Sequence, residues 1–190
     1  MPRPMRALPE LQTERLWMTI PTPDDAGPMA DFQCRNREHF APWDPERAEE
    51  FFTEAWWRER LGDAHDEFQS DKSLRLVLRP LAEPDGPIIG TINFSNFVRG
   101  VFHACYLGYC IDAEREGQGL MHEGLTRSIA YVFDELRLHR IMANYMPHNQ
   151  RSGKLLRKLG FVAEGYARDY LHIAGAWRDH VLTSLTNPTM

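Results

Sequence analysis

Two glycines near the middle of the chain could bring a phosphate group close to the protein backbone. Gly117 and Gly119 stand between a segment typical of a buried strand and a segment whose apolar residues recur at helical spacing. The first turn of a helix carries N–H groups without partners inside the helix, and the helix dipole adds partial positive charge there. Because glycine lacks a Cβ, a pyrophosphate could reach these N–H groups. A tight turn into an ordinary helix is the alternative, which the two glycines alone leave open.

The segments that flank the glycines predict a strand, a turn and a long helix. The strand covers Cys105 to Ile111, and the helix runs from about Met121 to Leu136. A further strand, Arg140 to Met146, is followed by a helix from Asn149 to Gly160. Because strand-helix-strand crossovers are right-handed, the two strands should be parallel. The glycines would then lie beyond the carboxyl ends of the strands, where ligands bind in such sheets.

The rest of the chain predicts a mixed sheet in a single domain, residues 1–190. We expect a strand at Leu11 to Ile20, a short helix from Asp24, and a longer helix from about Arg47 to Gly62 with Ala55 on its buried side. The remaining predicted strands are Leu74 to Leu78, Ile88 to Phe97, Phe161 to Ile173 and Trp177 to Thr186. The predicted order is β-α-α-β-β-β-α-β-α-β-β, an α/β fold of the α+β type with a mixed sheet.

Composition favours a cytoplasmic protein without a metal site. The chain has three cysteines and neither a C-x-x-C nor an H-x-x-x-H motif, so we expect no metal. No apolar run approaches the roughly 18 residues that span a bilayer, so we expect no membrane contact. Residues 44–71 hold ten acids against three arginines, either as a solvated helix face or as part of a cleft for a cationic substrate. The basic cluster that nucleic acid requires is missing from the sequence.

Two motifs carry a resemblance to a known superfamily. Residues 116–121 read E-G-Q-G-L-M, and residues 149–165 carry the pattern N-x-x-S-x-x-L-x-x-x-L-G-F-x-x-E-G. With the element order, they resemble the GCN5-related N-acetyltransferase (GNAT) superfamily, whose pyrophosphate loop reads Q/R-G-x-G-x-G/A. The resemblance covers about residues 104–165 and implies acetyl-CoA as the co-substrate.

Longer stretches are similar to one subgroup of that superfamily. These are Asn93 to Asn96, Phe102 to Tyr109, His139 to Asn149, and Trp177 to Thr183. They look like the RimJ type of ribosomal-protein-alanine N-acetyltransferase. This likeness implies direct transfer of acetyl to the N-terminal amine of a ribosomal protein, of the alanine type, without a covalent enzyme intermediate. Association with the ribosome, and a monomeric or homodimeric state, remain open expectations.

For the cofactor, the resemblance implies contacts from three places. They are the end of the strand at 105–111, the glycine loop (residues 116–121) and the start of the helix that begins at Asn149. The expected residues are Tyr109, Cys110, Ile111, Gly117, Gln118, Gly119, Leu120, Met121, His122, Asn149 and Ser152. Backbone N–H groups of residues 109–111 would bind the thioester carbonyl, aided by a bulge at Gly108.

The expected catalytic residues are Ser152, Asn149 and Glu123. Ser152 would protonate or hydrogen-bond the sulfur, because Leu156 stands where many members carry a tyrosine, although a helix-start hydroxyl would also explain it. Asn149 would contact CoA or cap the helix. Glu123 is one candidate base, and the other candidates of equal standing are Asp112, Glu164 and Asp169. Glu116 also departs from the superfamily's usual Gln or Arg.

Two other functions remain open at this stage. A small-molecule amine acetyltransferase is an alternative because the same fold hosts both activities. A non-catalytic CoA-binding or ribosome-associated module is the other, since the tyrosine is replaced. Trp43, on a loop between two prolines, is expected either to pack or to border the acceptor cleft.

Overall fold

Eight strands form one sheet in the computed structural model, which describes residues 6–190. In chain order the strands are β1 (Glu10–Gln12), β2 (Leu16–Thr19), β3 (Leu74–Pro80), β4 (Gly90–Val98), β5 (Ala104–Ile111), β6 (Arg140–Tyr145), β7 (Val162–Ile173) and β8 (Ala176–Thr186). Their order across the sheet is β1-β2-β3-β4-β5-β6-β8-β7. All neighbouring strands are antiparallel except β5 and β6, which are parallel as predicted.

Helices cover both faces of this sheet. They are α1 (Ala26–Arg35), α2 (Arg37–Phe40), α3 (Glu54–Gly62), α4 (Ala64–Gln69), α5 (Leu120–Asp134) and α6 (Gln150–Lys158). Short 3-10 turns lie at Pro23–Asp25, Glu49–Phe52 and Ala113–Arg115. The predicted α/β class with a mixed sheet is confirmed. None of the helices within residues 6–190 is long and apolar enough to cross a bilayer.

The single strand predicted for residues 11–20 is wrong, because a tight turn divides it. Thr13 and Leu16 close the turn: the Thr13 N–H donates to the Leu16 carbonyl at 3.0 Å, and the Thr13 hydroxyl accepts from the Leu16 N–H at 2.9 Å. β1 and β2 then pair antiparallel, with Leu11 opposite Met18. Both side chains are buried on one face, so the hydrophobic alternation passes through the turn without a break.

The long helix predicted for residues 47–62 is also wrong in its first half. Residues 49–52 form a 3-10 turn, and Thr53 in an extended conformation caps α3 by accepting a hydrogen bond from the Trp56 N–H. Phe51 in the turn is buried, but Ala55 in α3, predicted to be buried, is exposed. A second short helix, α4, continues after the end of α3 at Gly62.

The core lies in two layers, one on each face of the sheet. Leu76 and Leu78 of β3 join the larger cluster, in which Leu125 of α5 is fully buried. Val77 between them faces the smaller cluster with Phe32 of α1. Because side chains alternate along a strand, β3 holds both helical layers at once. Burying a side chain of this size contributes about 1.5–3 kcal/mol.

Gly153 in α6 lies against Tyr145 of β6, and this contact generates a prediction about stability. A Cβ at Gly153 would lie 2.7 Å from Cε2 of Tyr145, whereas a Cβ at Gly62 would meet nothing within 4 Å. Gly153→Ala should therefore lower the free energy of unfolding by about 1–3 kcal/mol through overpacking. Gly62→Ala, the control, should raise it by about 0.5–1 kcal/mol through helix propensity. Urea denaturation measures both, and equal effects of the two variants would contradict the contact.

Candidate functional site

Both glycines of the glycine loop adopt the left-handed backbone conformation. Gly117 has φ +73°, and Gly119, the N-cap residue of α5, has φ +78°. A residue with a Cβ is strained at such angles. The first-turn N–H groups of α5 follow directly at Leu120, Met121 and His122, on a loop whose Gly117 has open space around it. The predicted strand-turn-helix placement of the glycines is thus confirmed in geometry.

Arg15, in the turn between β1 and β2, holds this loop from the other side. Its side chain donates to the carbonyl of Gln118 at 3.0 Å and to Glu123 Oε2 at 2.7 Å. The Arg15 backbone N–H donates to the second oxygen, Glu123 Oε1, at 2.9 Å. One arginine therefore fixes the β1–β2 turn, the glycine loop and the first turn of α5 to one another.

This arrangement argues against Glu123 as the base. Both of its oxygens accept hydrogen bonds from Arg15. Burial raises the pKa of Glu123, but hydrogen bonds from Thr13 and Arg15 outweigh burial and hold the pKa below its usual value. A base that is already bonded and weakly basic would be poorly suited to take a proton near neutral pH. Glu123 instead fixes the glycine loop.

Glu116 is turned toward the Arg151 guanidinium, which pairs with its charge, and toward His39. Its Oε1 pairs with Arg151 in the first turn of α6 and lies 3.1 Å from Nε2 of His39 in α2. The replacement of the superfamily's usual residue therefore places no unpaired carboxylate beside the glycine loop. It also links the loop after β5 to the helix after β6.

Strands β5 and β6 separate where the site is expected. Their pairing joins Ala104–Tyr106 to Arg140–Met142, and no pair beyond these is formed in residues 6–190. The Asp112 N–H donates to the carbonyl of Ile89, the residue before β4, at 2.9 Å. Because backbone groups alternate sides along a strand, the N–H groups of Tyr109 and Ile111 point the opposite way, toward the gap. These two donors can bind a thioester carbonyl.

The bulge predicted at Gly108 is wrong. Gly108 pairs regularly with Asn93, and the register shifts instead between Ser95 and Val98 of β4. Asn96 lies inside that shift with φ +54°. The extra residue therefore lies in β4, and β5 pairs regularly from Tyr106 to Ile111.

Ser152 and Asn149 meet at the start of α6, and Tyr109 joins them from β5. The side-chain oxygen of Asn149 accepts from the Ser152 N–H at 3.0 Å, so Asn149 caps the helix. The Ser152 hydroxyl lies 2.8 Å from the Tyr109 hydroxyl. Burial raises the pKa of Tyr109 to about 12, so this phenol stays protonated at neutral pH. Sequence reasoning assigned Tyr109 through its backbone and missed this side-chain contact, for which local spacing offers no signal.

The other candidate bases are not grouped with Ser152. Asp112 is held by Arg35 at 2.8 Å, and Glu164 pairs with Arg140. Asp169 is exposed on β7. Cys110, whose pKa burial raises to about 12, is a neutral thiol that bonds Thr91 at 3.2 Å. Among residues 6–190, no three His, Cys, Asp or Glu side chains come together to hold a metal ion.

Comparison with known proteins agrees with this geometry. Residues 15–162 match the family described as "Acetyltransferase (GNAT) domain". The chain is 49% identical over 178 residues to the [Ribosomal protein uS5]-alanine N-acetyltransferase of Escherichia coli (strain K12), covering 94% of this chain and 91% of that protein.

Solved structures give the same result for the fold. The ribosomal-protein-S5-alanine acetyltransferase of Vibrio fischeri matches with a TM-score of 0.90 and 39% identity, over 95% of this chain and 97% of that one. RimJ of Mycobacterium smegmatis in complex with CoA-disulfide matches with a TM-score of 0.85 and 24% identity, over 96% of this chain and 88% of that one. The second likeness concerns the fold alone.

Gly117→Ala and Gly100→Ala form a matched pair that tests the glycine loop. Both glycines have φ +73°, and at neither would an added Cβ meet an atom within 4 Å. Both variants should lose about 1–2 kcal/mol of stability because alanine is strained in this conformation. Only Gly117→Ala should weaken the binding of coenzyme A, by about tenfold, because its methyl group would stand where the pyrophosphate is expected. Titration calorimetry measures this, and equal affinities in the two variants would contradict the assignment.

Proposed function

The chain belongs to the GNAT acetyltransferase family, and from this premise we propose that it transfers acetyl from acetyl-CoA to the N-terminal amine of a ribosomal protein that begins with alanine. The acceptor follows from the relative in Escherichia coli, whose name states it and with which this chain shares 49% identity. The co-substrate follows from the family. We also propose that the protein associates with the ribosome, as a monomer or as a homodimer.

The observation that carries the proposal is the separation of β5 from β6. The N–H groups of Tyr109 and Ile111 point into the gap, the glycine loop lies at the end of β5, and Ser152 lies beyond the end of β6. A pantetheine arm in this gap would reach from the pyrophosphate at the loop to the hydroxyl of Ser152. The residues proposed for the cofactor are then those named from the sequence.

The chemistry needs a neutral amine, a polarised carbonyl and a protonated sulfur. An α-amine titrates near ~7.7–8.0 and a lysine ε-amine near ~10.4, so a protein N-terminus needs less help to lose its proton. The N–H groups of Tyr109 and Ile111 stabilise the oxyanion. Ser152 hydrogen-bonds the departing sulfur, and the protonated Tyr109 orients the Ser152 hydroxyl by donating to it.

Peptide acetylation tests the acceptor class. A peptide that begins with alanine and contains an internal lysine should release CoA thiol, and the same peptide with a blocked N-terminus should not. The rate should increase between pH 6 and pH 9 as the α-amine loses its proton, with a midpoint near ~7.7–8.0. Equal rates for the free and blocked peptides would contradict N-terminal transfer, and faster acetylation of spermidine would favour a small amine.

Ser152→Ala and Tyr109→Phe test the paired hydroxyls. Ser152→Ala should lower kcat by roughly 100-fold because the sulfur loses its donor. Tyr109→Phe should lower kcat by about tenfold, and the double variant should be no worse than Ser152→Ala because the two groups act together. The KM for acetyl-CoA should change little in each variant. If the double variant loses the product of the two single fold-losses in kcat, the two hydroxyls act separately.

A further inference from the structure

The segment between α2 and the 3-10 turn of residues 49–52 runs across the region where β5 and β6 separate. Its Trp43 ring stacks on His148, just after β6, with ring centroids 5.5 Å apart. The next residue, Asp44, accepts a hydrogen bond at its carbonyl from the Ala174 N–H at 3.0 Å, in the turn between β7 and β8. The Asp44 N–H donates to Phe40 of α2 at 3.1 Å. The segment is therefore fixed from three elements.

The side chain of Asp44 lies on the face of β5 that carries Cys110. Cys110 packs against the buried cluster that contains Phe40, and Phe40 lines one cavity together with Asp44. Burial raises the pKa of the Cys110 thiol, and the charge of Asp44 adds to that rise. Two residues earlier on the same face, Gly108 is exposed and has open space around it. Gly108 directly precedes Tyr109, whose N–H is one of the two donors for the thioester carbonyl.

The Asp44 carboxylate is free to accept a hydrogen bond, whereas those of Asp112, Glu123 and Glu164 pair closely with arginines. In the described residues its oxygens accept no hydrogen bond, and its ion partner, Arg47, lies 3.8 Å away. Burial raises the pKa of Asp44, and Arg47 offsets part of that rise. By contrast, arginines contact Asp112 and Glu123 at 2.8 and 2.6 Å. A half-buried carboxylate without a donor suits a general base.

The surroundings of Asp44 also leave room for an acceptor. It lines a cavity of about 350 Å³ whose wall includes Phe40 and Phe51. The charged groups that face it there are Arg47 and Glu46 from its own segment and Arg37 from α2, which is paired with Glu49. Cys110 of β5 packs against the cluster that contains Phe40. A cavity of this size accepts the first residue of a peptide.

We propose that Asp44 is the catalytic base that takes the proton of the acceptor amine, directly or through one water. This rests on the proposed function and names a residue for it. The amine nitrogen forms a bond to the acetyl carbon, and the nitrogen loses one proton to the Asp44 carboxylate. The carbon–sulfur bond then breaks, and the CoA thiolate takes a proton from the Ser152 hydroxyl or from solvent. Asp44 returns its proton to water.

The test compares Asp44→Asn with Asp31→Asn, an exposed aspartate of α1 changed in the same way. Asp44→Asn should lower kcat/KM for the alanine-starting peptide by about 100-fold. It should keep the parent affinity for coenzyme A and the parent thermal midpoint. The low-pH limb of its kcat/KM profile should contain one ionisation fewer than that of the parent. Asp44→Glu should restore part of the rate, and Asp31→Asn should match the parent.

Two outcomes would overturn the role of Asp44 alone. One is a parent that acetylates the peptide while Asp44→Asn retains kcat/KM within about twofold of it. The other is a slow Asp44→Asn whose pH profile has the parent's shape, since loss of structure lowers the rate without removing an ionisation. A parent without activity on the peptide would overturn the proposed acceptor and this inference together.

Discussion

The structure depends on the backbone groups that β5 and β6 leave unpaired where the two strands separate. A strand that stops pairing inside a sheet leaves N–H donors that must find another partner. Here the N–H groups of Tyr109 and Ile111 face the gap, while β4 keeps β5 straight through Ile111. A thioester carbonyl can satisfy such donors, so the same feature that weakens the sheet locally creates the site. The helix α5 adds a second set of free donors at its first turn.

Arginines fix the irregular segments around this gap. Arg15 joins the β1–β2 turn to the glycine loop, Arg35 of α1 holds Asp112 at the end of β5, and Arg151 links α6 to Glu116. Each contact ties an irregular segment near the gap to another part of the chain. Arg15, Arg35 and Arg140 pair with three of the four candidate bases named from the sequence, Glu123, Asp112 and Glu164. These three carboxylates are therefore less available for chemistry.

Periodicity and glycine placement predicted the elements nearest the site well. The strand at 105–111, the turn at Gly117 and the parallel crossover followed from local patterns that the structure retains. The turn inside residues 11–20 was missed because the alternation of buried residues continues across it. The capping of α3 by Thr53 was missed because the aromatic residues around it also fit one helix. The contact between Tyr109 and Ser152 joins residues 43 positions apart, and local spacing carries no information about it.

The most direct test of the central claim is a crystal structure of the protein with acetyl-CoA bound. We expect the pyrophosphate on the amides of residues 117–122 and the acetyl carbonyl oxygen about 3 Å from the N–H nitrogens of Tyr109 or Ile111. The sulfur should lie beside the Ser152 hydroxyl. An acetyl-CoA bound elsewhere, or an acetyl group outside the gap between β5 and β6, would contradict the claim.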